Sequence, residues 1–123
     1  KRVNDEYGHP VGDRVIQSLA RTIRQRIRRV DSAGRYGGEE FAVVFDGLNQ
    51  EAAVKSLDRI RRAFSQLRHH SEKGDFFTAF SSGVVTYPDF DTAAGMNDAA
   101  DKALYAAKRS GGNCVATLSR HVV

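Results

Sequence analysis

Two adjacent glutamates, Glu39 and Glu40, follow Gly37 and Gly38 in the five-residue stretch GGEEF. Glycine has no side chain, so another molecule can approach the backbone closely at such a pair. Carboxylate oxygens are the ligands that Mg²⁺ prefers, and phosphoryl-transfer enzymes use this ion to neutralise phosphate charge. A solvated turn has the same composition, so these residues alone leave a metal site and a plain turn equally open.

Composition limits the class of protein and of partner. The chain has 123 residues and a net charge of +4, which favours an anionic partner such as nucleic acid, a membrane surface or a small phosphate ester. Cys114 is the single cysteine, so an internal disulfide and a zinc site built on paired thiols are excluded. No apolar run approaches the roughly 20 residues of a membrane span. We therefore expect one cytoplasmic domain over residues 1–123.

Hydrophobic periodicity predicts the elements that must position the glutamates. The first predicted element is a helix over 15–30 with Asp13 as its N-cap, followed by two short strands around the Gly-Gly turn. A second helix follows, with a buried stripe from Ala53 to Leu67. The remaining predicted elements are a strand over 76–88, a helix over 95–112 and a strand over 113–118. This alternation around an antiparallel hairpin predicts an α/β sandwich with helices packed on a sheet. The opening residues, KRVNDEYGHP, have the composition of a polar turn.

Three separated motifs resemble those of the GGDEF family of diguanylate cyclases. The central motif is RYGGEEF, the first is K-x-x-N-D-x-Y-G-H-x-x-G-D over residues 1–13, and the last is AD-x-ALY-x-AK-x-x-G-x-N over residues 100–113. They occur in the family's order and cover nearly the whole chain. The resemblance implies an α+β sandwich with the ferredoxin-like palm fold of nucleotidyl cyclases. Its mainly antiparallel sheet would be flanked by helices, with the first helix and first strand missing from these residues.

The activity that this resemblance implies is the condensation of two GTP molecules into cyclic di-GMP with release of two pyrophosphates. Each family domain holds one GTP, so a homodimer is needed for catalysis, with Mg²⁺ or Mn²⁺ as the cofactor. Glu39 and Glu40 match the metal ligands, and Glu39 also matches the residue that activates the attacking hydroxyl. Gly37 and Gly38 match the positions where the triphosphate approaches the backbone.

Guanine recognition falls, by the same resemblance, to Asp13 and Asn4. Guanine presents N1-H and its N2 amino group side by side, and one carboxylate can accept from both, whereas adenine lacks this pair of donors. Asp13 matches the residue with this role, and Asn4 matches a contact to the neighbouring edge of the base. A simple helix cap is the alternative role for Asp13.

Lys1 and Lys108 match family positions that contact the triphosphate, where a flexible point charge is adequate. The family often has a basic residue where this chain has Gly112, so one phosphate contact is in doubt. Arg109 is the candidate to replace that contact.

A further resemblance concerns Arg28 and Asp31, which fit the pattern R-x-x-D five residues before Gly37. The pattern and spacing resemble the family's product inhibitory site, and Arg59 matches its secondary arginine. Arginine can stack on and bond to a guanine while the aspartate accepts from the donor edge of that base. The alternative is an exposed arginine stripe along one helical face.

The resemblance also implies residues upstream of Lys1. In the family, the strand before this motif ends in an aspartate that bridges the metals, so we expect the 123 residues alone to be inactive. It leaves room for a sensory or membrane domain upstream. The main alternative function is a non-catalytic cyclic di-GMP receptor or interaction module that uses the R-x-x-D site. The phenylalanines are not interleaved with basic residues, so we expect no nucleic-acid partner.

Overall fold

The computed structural model describes residues 2–37, 39–87, 89–90 and 92–117. Its elements, in chain order, are α1 Arg2–Tyr7, α2 His9–Arg26, β1 Ser32–Arg35, β2 Phe41–Val44, α3 Gln50–Ser65, β3 Ser82–Val84, α4 Ala93–Arg109 and β4 Val115–Thr117. The contacts divide the chain into two compact units, one of residues 1–46 and 63–78 and the other of residues 47–62 and 79–123. Within the described residues, each unit contains one two-stranded sheet. The single domain over 1–123 stays a prediction.

The first unit begins with two helices where the sequence predicted a turn followed by one helix. Gly8 separates α1 from α2 with a φ of 93°, a value that glycine adopts readily. Pro10 lies in the first turn of α2, where its fixed φ suits helix initiation. The helix therefore begins before Asp13, and the prediction of Asp13 as the N-cap is wrong. The buried residues of α2 are Val11, Gly12, Val15, Leu19, Thr22 and Ile23.

The C-terminal end of α2 is earlier than the predicted Val30. Ile27 is extended, and its N-H makes the last helical bond to the Ile23 carbonyl at 3.1 Å. Asp31 then donates its backbone N-H to the Arg28 carbonyl at 3.0 Å and accepts from the Arg28 N-H at 2.8 Å. This side-chain to backbone pairing competes with helix continuation, so residues 28–31 form a turn.

The predicted hairpin is present, but its connection is longer than a Gly-Gly turn. β1 and β2 pair antiparallel, and Arg35 opposite Phe41 is the last pair of the ladder. Residues 36–40 make the connection. The Tyr36 N-H donates to the Glu40 carbonyl at 2.8 Å, which closes this loop.

The loop that follows α3 packs against the end of α1. The rings of Tyr7 and Phe76 are stacked with centroids 4.0 Å apart, and the Lys73 ammonium donates to the Glu6 carbonyl at 2.8 Å. His69 pairs with Phe76 through two backbone hydrogen bonds of 2.9 Å, and burial lowers the pKa of its imidazole. These contacts fix the end of α1.

The second unit consists of the first part of α3, α4 and a parallel pair of strands. β3 pairs with β4, and α4 packs on both strands with Ala99, Ala103 and Ala107 buried. Gly83 lies against the α4 backbone, and a methyl group there would overlap Leu104 N. The predicted strand over 76–88 is wrong in extent, since among the described residues 76–87 only Ser82–Val84 is a strand and Phe76 makes an isolated bridge. The sheet pairs are thus one antiparallel and one parallel.

Candidate active site

The hairpin loop presents both glutamate side chains to solvent. Glu39 and Glu40 are exposed, and the space around Gly37 is open, since an added side-chain carbon there would meet nothing within 4 Å. The backbone of Gly37 is held by two bonds, from its N-H to the Glu40 carbonyl at 3.4 Å and from Arg35 Nε to its own carbonyl at 3.2 Å. The loop therefore has a hydrogen-bonded base and an accessible, acidic tip.

The packing of α1 on α2 places Asn4 against Gly12, the chain neighbour of Asp13. The Asn4 carboxamide covers Gly12, and a methyl group at Gly12 would overlap Asn4 Oδ1. Gly12 is buried, Asn4 is half-buried and the neighbouring Asp13 is exposed. The Asn4 carboxamide and the exposed Asp13 carboxylate have the chemistry to bond the donor and acceptor groups on the edge of a guanine. Gly12 is absent from the predicted site residues, and the Gly-Asp pair that ends the first motif is the sequence signal that points to it.

Arg28 and Asp31 form a closed ion pair in the turn after α2. Asp31 Oδ2 accepts from Arg28 Nε at 3.0 Å, and Asp31 Oδ1 accepts from Arg28 Nη2 at 2.7 Å. Arg28 Nη2 also donates to the Asp46 carbonyl at 2.6 Å, and the Asp46 N-H donates to Asp31 Oδ1 at 3.1 Å. The Asp31 side chain is 1% exposed and that of Arg28 is 48% exposed. The turn is therefore tied to Asp46, two residues beyond the end of β2.

The charge of Asp31 is stabilised by this arrangement. The hydrogen bonds from Arg28 hold the pKa of the Asp31 carboxyl well below its usual range, although desolvation opposes them. Because the pKa of Asp31 is lower in the folded state than in the unfolded state, the ionised carboxylate stabilises the fold. This stabilisation is fully present above the unfolded-state pKa of about 4 and is lost as the pH falls through the lower folded-state pKa.

Asp31 has little acceptor capacity left for a ligand. Its two oxygens accept four hydrogen bonds, three from Arg28 and one from Asp46, and a carboxylate offers about four lone-pair positions. A base would have to replace one of these donors before Asp31 could accept from it. In this arrangement Asp31 orients Arg28, whose Nη1 has no hydrogen-bond partner among the described residues.

Lys108 and Arg59 belong to the second unit, and both side chains are exposed. Lys108 lies in the last turn of α4. The neighbouring Arg109 donates from Nη1 to the Tyr105 hydroxyl at 3.1 Å and lies 5.7 Å from the centre of that ring, so its guanidinium is directed along the helix. Gly112 has a φ of 75°, a value that glycine adopts readily and that most residues with a side chain avoid. Lys1 and Gly38 lie outside the described residues.

The donor chemistry of the hairpin tip fits a magnesium ion. Mg²⁺ in phosphoryl-transfer sites takes one or two protein carboxylates together with substrate phosphates and water. Glu39 and Glu40 supply two carboxylates at an open position. Over the part of the chain that the structure describes, no group of three or more histidine, cysteine, aspartate or glutamate side chains is arranged around a common ion position.

Comparison with known protein families gives a match over nearly the whole chain. The family described as "Diguanylate cyclase, GGDEF domain" matches residues 1–114 of the chain. The chain belongs to the GGDEF family. The predicted family and the palm-like α+β fold are confirmed.

Curated relatives of this GGDEF domain include two diguanylate cyclases. Diguanylate cyclase A of Treponema denticola is 38% identical over 122 residues, a span of 98% of this chain and 33% of that protein. Diguanylate cyclase DgcP of Pseudomonas aeruginosa is 35% identical over 111 residues, a span of 90% of this chain and 16% of that protein. The chain therefore spans a third or less of the length of these two relatives.

Solved structures of GGDEF domains have the same fold. The GGDEF domain of YfiN, also named TpbB, from Pseudomonas aeruginosa superimposes with a TM-score of 0.82 at 30% identity, covering 96% of this chain and 74% of that one. The GGDEF domain of DgcB from Caulobacter crescentus, solved in complex with c-di-GMP, gives a TM-score of 0.76 at 30% identity. The match covers 93% of this chain and 68% of that one. Every helix in the described part of this GGDEF domain is too short or too polar to cross a bilayer.

Proposed function

We propose that this GGDEF domain is the catalytic domain of a diguanylate cyclase, which condenses two GTP into cyclic di-GMP and releases two pyrophosphates. The observation that carries the proposal is the open, exposed position of Glu39 and Glu40 on a hydrogen-bonded hairpin of a GGDEF-family fold. A domain that only bound a nucleotide would not need two acidic side chains at such a tip. The curated relatives named as diguanylate cyclases support the same activity.

The hairpin residues are assigned to the phosphate chemistry. Each 3′-hydroxyl forms a bond to the α-phosphorus of the opposite GTP, the bond to the pyrophosphate oxygen breaks, and the hydroxyl proton must be accepted. Glu39 is the proposed group that activates this hydroxyl, and Glu39 with Glu40 would hold Mg²⁺ or Mn²⁺. The ion supplies positive charge to the triphosphate when bound. Gly37 leaves room for the triphosphate beside the backbone. Gly38 is assigned the same role from the family motif alone.

Selection of guanine is assigned to Asn4 on α1 and Asp13 on α2. Asp13 would accept from the N1-H and N2 amino groups, and Asn4, held over Gly12, would contact the adjacent edge. Loss of a base partner leaves polar groups of the protein unsatisfied, so such a site discriminates strongly against adenine. Lys1 and Lys108 are assigned to the triphosphate from the family motifs alone.

Two domains must act together in this proposal, because each holds one GTP and each hydroxyl attacks the nucleotide of the other. A homodimer is therefore the proposed active form, in the cytoplasm, where GTP is available. A sensory or membrane domain elsewhere in the natural protein would control how the two domains meet.

The direct test is synthesis of cyclic di-GMP by the natural protein that carries this sequence. We expect product from GTP with Mg²⁺ or Mn²⁺, none from ATP, and a rate that rises with the fraction of dimer. The isolated 123 residues are expected to be inactive, because the family resemblance places a further metal ligand upstream. Chromatography of the reaction mixture measures the product. A dimeric natural protein that binds GTP and makes no cyclic di-GMP would contradict the enzyme proposal.

A second candidate function is binding of cyclic di-GMP at Arg28, with Asp31 as its partner. Arg59 is assigned to this function from the family pattern alone. The observation in its favour is the preformed pairing of Arg28 with Asp31, which holds a half-exposed guanidinium in one orientation. In an active cyclase this site would give product feedback. In a receptor it would be the only functional site.

An Arg28→Lys variant tests this candidate. Lysine keeps the positive charge beside Asp31 but lacks the planar fork that stacks on and bonds to a guanine. We expect the affinity for cyclic di-GMP, measured by calorimetry, to fall about tenfold or more. Arg29→Lys is the matched control, since Arg29 is an exposed neighbour in the same turn. Equal affinities for the two variants would remove the proposed product site.

A further inference from the structure

A hydrogen-bonded chain in the second unit joins α3 to the turn that follows α4. Arg61 donates from Nη1 to Asn113 Oδ1 at 2.8 Å and from Nε to Asp58 Oδ1 at 2.7 Å. The Asn113 N-H donates to Ser81 Oγ at 3.1 Å. The Arg61 side chain is 16% exposed, so the guanidinium is held between two partners in a mostly enclosed position.

The turn held by Arg61 has an unusual backbone. Gly111, Gly112 and Asn113 follow one another with φ values of 114°, 75° and 52°. Glycine adopts such angles readily, and asparagine is one of the few other residues that tolerate them. A left-handed asparagine is therefore stabilised here by bonds from Arg61 to its side chain and from its N-H to Ser81.

This turn is continuous with the end of α4 that carries Lys108. The Gly111 N-H donates to the Lys108 carbonyl at 3.2 Å, and the Gly112 N-H donates to the Ala107 carbonyl at 3.0 Å. A shift of the turn would therefore shift the backbone of Lys108. The exposed Lys108 side chain has no described side-chain partner, so its direction depends on that backbone.

We propose that Arg61 is a positioning residue for the triphosphate of GTP, acting by holding Asn113 and, through the turn, the backbone of Lys108. This inference rests on the proposed function, since it needs Lys108 to contact the triphosphate. Arg61 lies outside the three sequence motifs. Only the folded chain brings it to Asn113, 52 positions later.

The shape of the arginine side chain suits position 61. Its guanidinium presents donors in a fixed fork, so Nε and Nη1 can bond Asp58 and Asn113 at the same time, whereas lysine is a single point of charge. Hydrogen bonds from Arg61 lower the pKa of the Asp58 carboxyl, so this pair is charged near neutral pH. Arg62 bonds the same aspartate through Nε at 2.9 Å but is 70% exposed. Arg62 thus offers a matched control that shares Asp58.

The test compares Arg61→Lys with Arg62→Lys in the natural protein that carries this sequence. We expect Arg61→Lys to raise the KM for GTP about tenfold while kcat changes little, because a charged hydrogen bond that orients a binding group is lost. Arg62→Lys is expected to leave both parameters within a factor of about two. Equal effects of the two substitutions, or a loss confined to kcat, would overturn the assignment of Arg61.

A double variant shows whether Arg61 acts through Lys108. If it does, Arg61→Lys adds little to the KM increase of Lys108→Ala, because residues in one network are not additive. Independent, multiplying effects would overturn the inference and leave the proposed function intact. A natural protein that neither binds nor converts GTP would instead overturn the proposed function and, with it, this inference.

The holding contact itself has a readout that is independent of activity. The Asn113 amide, which donates to Ser81, is expected to exchange with solvent about tenfold faster in Arg61→Lys than in Arg62→Lys. Asn113→Gly keeps the left-handed backbone and removes the Arg61 acceptor, so we expect the same rise in KM. An unchanged exchange rate of the Asn113 amide in Arg61→Lys, together with an unchanged KM in Asn113→Gly, would contradict the positioning role.

Discussion

Glu40→Gln is expected to lower cyclic di-GMP synthesis about a thousandfold while the domain keeps its stability. The amide has nearly the same shape as the carboxylate but no negative charge to hold a divalent ion. The Glu40 backbone carbonyl, which accepts from Tyr36 and closes the hairpin loop, is retained by glutamine. Initial rates at a fixed dimer concentration measure the effect, with thermal unfolding as the check on stability. Glu39→Gln is expected to give a comparable loss.

The control for these substitutions is Glu72→Gln, which removes one negative charge from an exposed loop position of the same unit. It is expected to leave the rate unchanged. Raising the Mg²⁺ or Mn²⁺ concentration should recover part of the activity of Glu40→Gln, because a weakened metal site fills at higher ion concentration. Activity of Glu40→Gln within tenfold of the parent would contradict the metal-binding role that we propose.

Gly12→Ala is expected to destabilise the fold by about 1–3 kcal/mol, the usual cost of overpacking. It is also expected to weaken GTP binding more than tenfold. The added methyl group would occupy the position of the Asn4 carboxamide, and Gly12 is buried between α1 and α2. Chemical denaturation measures the stability, and calorimetry measures the affinity for GTP. Gly34→Ala is the matched control, since a methyl group there meets nothing within 4 Å.

A compensating substitution separates packing from recognition at this position. Asn4→Ala removes the overlapping group, so the double variant with Gly12→Ala should regain most of the lost stability. It should not regain GTP affinity, because the proposed guanine contact of Asn4 is absent. Full recovery of GTP binding in the double variant would exclude Asn4 from guanine recognition. A stable Gly12→Ala single variant would show that α1 can move away from α2 at little cost.

Local structure was largely predictable where one strong signal dominated. The three longer helices follow amphipathic patterns, and the hairpin follows from the adjacent glycines that precede the β-branched and aromatic run FAVVF. The predicted buried positions Ala53, Leu57, Ile60 and Phe64 are buried in α3, while Leu67 lies beyond the helix end and is 37% exposed. The apolar pattern continues past the end of α3 at Ser65, where the N-H groups of Gln66 and Leu67 already bond carbonyls three residues earlier in place of four.

The errors have local physical causes. The end of α2 was placed too late because the Asp31 carboxylate captures the Arg28 N-H, a bond that helical periodicity does not reveal. The start of α2 was placed too late because Gly8 accepts a positive φ and Pro10 initiates the helix. The strand from Phe76 was drawn too long because residue composition does not say which residues find a partner strand.

The sequence by itself determined the family, the order of the elements from α2 onward and the candidate residues, because three motifs with fixed spacing specify them without reference to distant contacts. Only the tertiary structure decided which of these residues are neighbours and which hydrogen-bond acceptors are already occupied by donors of the protein. It placed Asn4 over Gly12, filled the acceptor positions of Asp31 with Arg28 and Asp46, and brought Arg61 to Asn113. The physical reason is that hydrogen bonds and close packing between residues far apart in the chain depend on the path of the backbone, which residue type and spacing constrain only locally.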